Sequence, residues 1–212
     1  MAAALLLQVR GLQVGYPGQP PFVRGFDGAI GAGATLLHGD TGSGKSTLLR
    51  VLAGQLPAAA GSLSLGGVRL DENAEGYRRQ VFFVDSSTDE FDALGVEACT
   101  AALRADDEGF DEPAWRSLVE GFGLAPHLGK SMYMLSTGSK RKVWLAAGLA
   151  SSRPLLLLDE PGAALDGASL RRLWRAIEEQ AARPARAVIV ASSERIDALQ
   201  FVATLELPLA SR

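Results

Sequence analysis

The sequence predicts an α/β domain with a mostly parallel sheet, a small antiparallel sheet at its N-terminal end and a helical insertion. Three observations carry that reading. A glycine-rich loop, Gly39–Thr47, lies between a short apolar run and a helix-forming one. Two further runs, Leu155–Leu158 and Ala187–Ala191, are continuously apolar, as strands covered on both faces of a parallel sheet are. From Asp85 to Lys130 strand signals vanish and helical ones replace them.

The chain has 212 residues, 47% of them hydrophobic and 21% charged, enough for one globular domain with its own core. Its net charge of −3 gives no bulk electrostatic case for nucleic acid, so no nucleic-acid partner is expected. The single cysteine, Cys99, excludes an internal disulfide and fits a reducing compartment. The opening residues, Met1 to Leu7, resemble a leader only briefly. They lack a basic start, and Gln8 and Arg10 interrupt them, so Leu5–Val14 reads as a first strand. No apolar run approaches the roughly 18 residues that cross a bilayer, so a membrane role is expected to run through a partner.

In order, Leu5–Val14 and Phe22–Ile30 read as antiparallel strands joined by the turn Gly15-Tyr16-Pro17-Gly18. Tyr16 either packs on Pro17 or offers its ring to a nucleobase. Ala34–His38 suits a buried strand, and Leu48–Gly54 a helix that ends at a glycine. Between them Gly39-Asp40-Thr41-Gly42-Ser43-Gly44-Lys45-Ser46-Thr47 fits the phosphate-loop pattern GxxxxGK[ST]. Its glycines let backbone N–H groups turn inward around phosphate oxygens, and the helix start adds a positive dipole end. Lys45 is placed to reach terminal phosphates and Ser46 to hold Mg²⁺. The alternative is a glycine-rich turn with no ligand.

Gly61–Leu70, with Gly66-Gly67 in its middle, reads as a hairpin, and Val81–Val84 as a buried strand. The insertion, residues 86–130, carries two helices, Val96–Arg104 and Pro113–Phe122, the second with Asp111 as a cap. Its many carboxylates read as a solvated face. Residues 1–85 and 131–212 then form the core domain. Ser136 is placed to cap a helix over Lys140–Ala150, but Lys140, Arg141 and Lys142 crowd its first turn, where the helix dipole disfavours cations. Either a bound anion compensates them or they face solvent. Leu155–Leu158 ends in Asp159-Glu160 at the carboxyl edge of the sheet, where α/β proteins bind ligands. Asp159 is expected to hold Mg²⁺ or its water, and Glu160 to serve as base or orienter for an attacking water. The alternative is a solvent-facing acid pair. Leu170, Leu173, Trp174 and Ile177 form one apolar helix stripe, Ala187–Ala191 a buried strand and Ala203–Leu207 the last strand, where the domain is expected to end.

Read together, these motifs resemble the ATPase subunit of an ATP-binding cassette (ABC) transporter over nearly the whole length. GDTGSGKST resembles Walker A. Leu135–Val143, LSTGSKRKV, resembles the signature LSGGQ-x-x-x-V, and Leu155–Pro161, LLLLDEP, resembles Walker B with its catalytic glutamate. Ala164-Leu165-Asp166 resembles the loop that follows it, and the size is that of the short haem-exporter cassettes. The resemblance implies ATP and Mg²⁺ as ligands. It also implies a head-to-tail homodimer, or a heterodimer with a related cassette, in which Ser136 and Gly138 of one subunit meet the γ-phosphate on the other. Tyr16 would stack on adenine, and the helical insertion would dock a transmembrane permease, placing the chain in the cytoplasm against the inner face of the membrane. Four positions depart from the family pattern. Asp85 stands where a Mg²⁺-facing glutamine is expected; an aspartate there is still expected to bind Mg²⁺, though it is shorter and adds negative charge near the γ-phosphate, and Ser193 stands where a switch histidine is expected. Thr137 and Ser139 replace a glycine and a glutamine of the signature. His38 and His127 stand elsewhere and read as structural. Two expectations result: an ATPase that powers transport, and a nucleotide-gated assembly module with slow turnover.

Overall fold

A computed structural model describes residues 5–16, 18–85 and 88–210. The packing of Tyr16 on Pro17 therefore falls outside the described residues. Strands β1 (Leu5–Val14) and β2 (Val23–Gly31) pair antiparallel, and β3 (Gly33–His38) leads into the glycine-rich loop. Helix α1 (Lys45–Leu52) follows, three residues ahead of the expected start. Gly44 caps the helix from the left-handed region, at φ 102°, so Lys45 and Ser46 already belong to the first turn.

Then come β4 (Ala60–Leu65) and β5 (Val68–Arg69), the expected hairpin, whose turn places Gly66 and Gly67 at φ of 56° and 82°. Only glycine takes two such values in succession at little cost. A short helix that the sequence pattern did not reveal, α2 (Ala74–Arg78), is capped by the Asn73 side chain. It is pinned by the fully buried Tyr77, whose hydroxyl donates to the Leu52 carbonyl at 2.8 Å. Strand β6 (Val81–Phe83) precedes α3 (Val96–Leu103) and α4 (Glu112–Gly121). Asp111 caps α4 through a 2.9 Å bond from the Ala114 N–H. Helix α5 (Thr137–Ala150) starts at Thr137 rather than Lys140, with Ser136 as its cap. The chain closes with β7 (Leu155–Asp159), α6 (Gly167–Ala181), β8 (Ala187–Ser192), β9 (Ala203–Glu206) and β10 (Leu209–Ala210).

The parallel sheet runs β6-β7-β8-β3-β9 and the second sheet β10-β2-β1-β4-β5. The second sheet is antiparallel except at β10, an unanticipated strand that pairs parallel with β2. The four leucines of β7 divide by the strand period of two. Leu155 and Leu157 pack with α1 and the antiparallel sheet, while Leu156 and Leu158 pack with α5, α6 and the helices of the insertion. Helix α1 is thus buried between two sheets, which is why the loop it follows is held firmly.

The described residues between 88 and 130 join neither sheet. A polar cluster ties them to the core. Asp107 is 9% exposed and accepts from Ser151 Oγ at 2.6 Å, from the Ser152 N–H at 3.1 Å and from Ser152 Oγ. Next to it the buried Arg186 donates to the carbonyls of Gly148, Ser151 and Arg153. Burial lowers the Arg186 pKa to about 10.

Candidate nucleotide site

The site is assembled where β3, β7 and β8 end together. Their register is continuous, with His38 opposite Ser192 and Asp159 opposite Ala191. The loop after β3 turns on Gly42 (φ 81°) and Gly44 (φ 102°), values that side chains rarely accept. A Cβ on Gly44 would also fall 2.6 Å from the Phe22 ring. Among the described residues, the backbone N–H groups of Gly42, Gly44, Lys45, Ser46 and Thr47 have no acceptor, whereas that of Ser43 is bonded to the Asp40 carbonyl at 3.1 Å. Five unpaired donors around one turn make a cradle for an anion, and the α1 dipole adds to it.

Lys45 is 6% exposed, and its Nζ donates to the Gly39 carbonyl at 2.7 Å and the Asp40 carbonyl at 3.1 Å. The same nitrogen lies 3.4 Å from Glu160 Oε1. The Ser46 hydroxyl stands beside the Asp159 carboxylate. Oδ1 of that carboxylate is buried without a partner. Burial raises the Asp159 carboxyl above its ordinary range, the Ser46 hydroxyl draws it down, and the charges of Glu160 and Asp85 raise it further. An orphaned carboxylate oxygen beside a hydroxyl suits a hard cation such as Mg²⁺ that takes its remaining ligands from water and phosphate. No group of three His, Cys, Asp or Glu among the described residues could hold a metal alone.

Glu160 sits at φ 42°, with its N–H bonded to the Ala191 carbonyl at 3.0 Å. Its Oε1 accepts the Ser193 N–H at 2.8 Å. The acid pair is therefore drawn into the site rather than presented to solvent alone. A cleft of about 420 Å³ opens beside Glu160 between the loops that follow β7 and β8, with Trp174 in its wall.

Tyr16 is 43% exposed. Its hydroxyl shares a 2.9 Å hydrogen bond with Thr47 Oγ1, and its ring lies 5.6 Å from Phe22. Phe22 and Arg50 complete this region, and the sequence pattern singled out neither. Asp85 does not stand alone: Arg50 Nε donates to its Oδ2 at 2.7 Å, and Arg50 Nη2 lies 2.5 Å from the same oxygen.

The signature residues do not join this cluster within one chain. The hydrogen bonds of Ser136 stay inside its own helix start, and Gly138 abuts the Ala164 carbonyl. The crowded cations are accounted for internally. Lys140 pairs with Asp92, Arg141 Nη1 donates to the Ala163 carbonyl at 2.5 Å, and Lys142 pairs with Asp166 at 2.7 Å. Lys140 and Lys142 are only 19% and 16% exposed, so they do not stand free in solvent, and their carboxylate partners offset the unfavourable dipole within the chain. The Lys142 bond, followed by those from Ser169, holds the Asp166 carboxyl well below its usual range.

A phosphate loop after one parallel strand and an acid pair at the end of another define a phosphate-loop nucleotide-binding core. The family model described as ABC transporter matches residues 26–163, and the chain belongs to that family. The cytochrome c biogenesis ATP-binding export protein CcmA of Paramagnetospirillum magneticum is 34% identical over 217 residues, 98% of this chain and 97% of that protein. CcmA of Paraburkholderia xenovorans is 36% identical over 180 residues, 76% of this chain and 78% of its own length. Among solved structures, an ATP-binding subunit of an ABC transporter superposes with a TM-score of 0.77 at 26% identity, over 88% of this chain and 79% of that one. The chain is an ABC transporter ATP-binding subunit. Among the described residues no helix is long and apolar enough to cross a membrane.

Proposed function

We propose that this subunit hydrolyses ATP and powers transport through a separate membrane-spanning permease. The observation that carries the reading is the meeting of Glu160 with Lys45 and Ser193 beside the Ser46–Asp159 pair. In this reading the free N–H groups from Gly42 to Thr47 hold the phosphates, with Gly39, Asp40, Thr41 and Ser43 shaping the loop around them. Lys45 transfers its charge from the loop carbonyls to the terminal phosphates. Ser46 and Asp159 hold Mg²⁺, which when bound shields charge that develops on the phosphate oxygens. Glu160 orients a water and takes its proton as the new P–O bond forms and the β–γ bridge breaks. Tyr16, braced by Phe22 and Thr47, offers its ring to adenine.

Ser136 and Gly138 serve a second copy of the chain, or a related cassette, arranged head to tail. This accounts for a signature turn that makes no bond to its own phosphate loop. Residues 86–130 act as a helical subdomain that docks the permease from the cytoplasmic side. A slower module that mainly assembles and releases on nucleotide binding is the second reading. It is favoured by Ser193, whose one recorded bond to Glu160 comes from its backbone.

Lys45→Ala tests the phosphate-loop role. Equilibrium titration with a fluorescent ATP analogue should show affinity reduced about tenfold or more, as expected for the loss of charge-assisted hydrogen bonds. Unchanged affinity in a variant with native circular dichroism would refute the assignment.

A further inference from the structure

Three carboxylates gather around the nucleotide site, and one of them arrives already neutralised. Asp159 and Glu160 end β7. Strand β6 lies beside β7 with Phe83 opposite Leu157. Asp85 follows the end of β6 by two residues, as Asp159 follows Leu157 by two, so both carboxylates lie at the same edge of the sheet. The Asp85 charge is felt there, since it contributes to the raised pKa of Asp159. A third bare carboxylate at the edge that receives a triphosphate would oppose binding, because like charges about 4 Å apart repel by roughly 4 kcal/mol at the effective dielectric of a protein surface.

Arg50 removes that opposition. It lies on α1, the helix that the phosphate loop opens, and two of its nitrogens, Nε and Nη2, address a single oxygen, Asp85 Oδ2, at 2.7 and 2.5 Å. Both side chains are more than two-thirds buried, at 30% and 24% exposure, so solvent screens the pair only partly. Helix α1 is itself fixed between two sheets. The guanidinium is thus delivered by the same rigid element that delivers Lys45 and Ser46.

We propose that Arg50 is a positioning residue of the nucleotide site that neutralises Asp85, so that the γ-phosphate meets a closed ion pair instead of an additional negative charge. This rests on the ATP-binding reading above. The pair acts as a unit. Asp85 alone repels the terminal phosphate, whereas the pair with Arg50 presents a neutral face beyond the end of β6. The effect is specific to the terminal phosphate, so ATP is more sensitive to it than ADP.

The test is a double-mutant cycle on the full chain, read as ATP and ADP dissociation constants with Mg²⁺ present, alongside thermal melting. Arg50→Met should weaken ATP about tenfold and ADP by less than half of that factor. Asp85→Asn should bind ATP within about twofold of wild type. The double variant should recover to the Asp85→Asn value, because the charge that Arg50 offsets is gone. A merely structural pair would lower melting in both single variants and move ATP and ADP affinity alike, which overturns the proposal. So does a double variant as weak as Arg50→Met, or an Asp85→Asn variant as weak. Should Arg50→Met fail to fold, Arg50→Lys keeps the charge without the two-nitrogen fork. Its ATP affinity should then remain within about threefold of wild type, and a tenfold loss would overturn neutralisation as the mechanism. A wild-type chain that does not bind ATP fails the ATP-binding reading itself, a result distinct from a flat cycle in a chain that binds.

Discussion

The Ser193 backbone N–H and the Glu160 carboxylate are joined by a 2.8 Å hydrogen bond. A main-chain donor from the end of β8 therefore fixes the direction of a side chain at the end of β7. The contact does not depend on which side chain residue 193 carries, so the orienting of Glu160 and any chemistry from position 193 are separable.

Glu160→Gln separates base from shape. The amide oxygen can still accept from the Ser193 N–H, so the site keeps its form while the proton acceptor is lost. Phosphate release should fall by roughly 10²-fold or more, and an ATP-bound dimer should accumulate in size exclusion with light scattering. A monomer at saturating ATP, even with the permease present, would count against Glu160 as the hydrolytic residue.

Ser193→His adds an imidazole without disturbing the backbone bond. It places a donor long enough to reach a γ-phosphate, where one preorganised contact to developing charge is worth roughly 10²–10³ in rate. Turnover should rise by about tenfold, with ATP affinity nearly unchanged. The slow-module reading would be abandoned if wild-type phosphate release were already at an ordinary enzymatic rate and the variant gained nothing.

Asp107→Ala addresses stability away from the site. It strips the acceptor from two serine hydroxyls and one N–H in a nearly buried cluster. Leaving those donors without a partner should cost about 2–3 kcal/mol, with Asp107→Asn between the variant and wild type. Urea unfolding followed by tryptophan fluorescence measures this. A midpoint unchanged in Asp107→Ala would mean water replaces the carboxylate freely.

Much of this architecture was legible because it is written in local patterns. The runs of β7 and β8 are apolar on both faces, as strands covered on both sides of a parallel sheet are. The phosphate loop declares itself through glycines that no other residue can replace. What stayed hidden depends on short segments or on distance along the chain. Helix α2 is too short for a period, and its stabilising residue, Tyr77, reads as an isolated aromatic until it is seen beneath α1. Strand β10 has two residues. The pairing of Arg50 with Asp85 spans 35 positions and that of Glu160 with Ser193 spans 33, and neither has a sequence pattern. The cations at the start of α5 read as unusual from the sequence, but their partners, in two segments distant from α5, do not.

Those partners give the first turn of α5 a further property. Lys140, Arg141 and Lys142 are consecutive, yet they attach to Asp92 in the segment before α3, to the Ala163 carbonyl in the loop after β7, and to Asp166, the residue that caps α6. Two regions far apart in the chain, the segment before α3 and the loop between β7 and α6, are thereby riveted to one turn. Their sequences are not free to drift separately: a charge lost at residue 92 or 166 strands a lysine beside an unfavourable helix dipole, and restoring balance calls for a second change in α5. Grafting the signature of another cassette onto this chain would fail for the same reason unless the two acidic partners were exchanged with it.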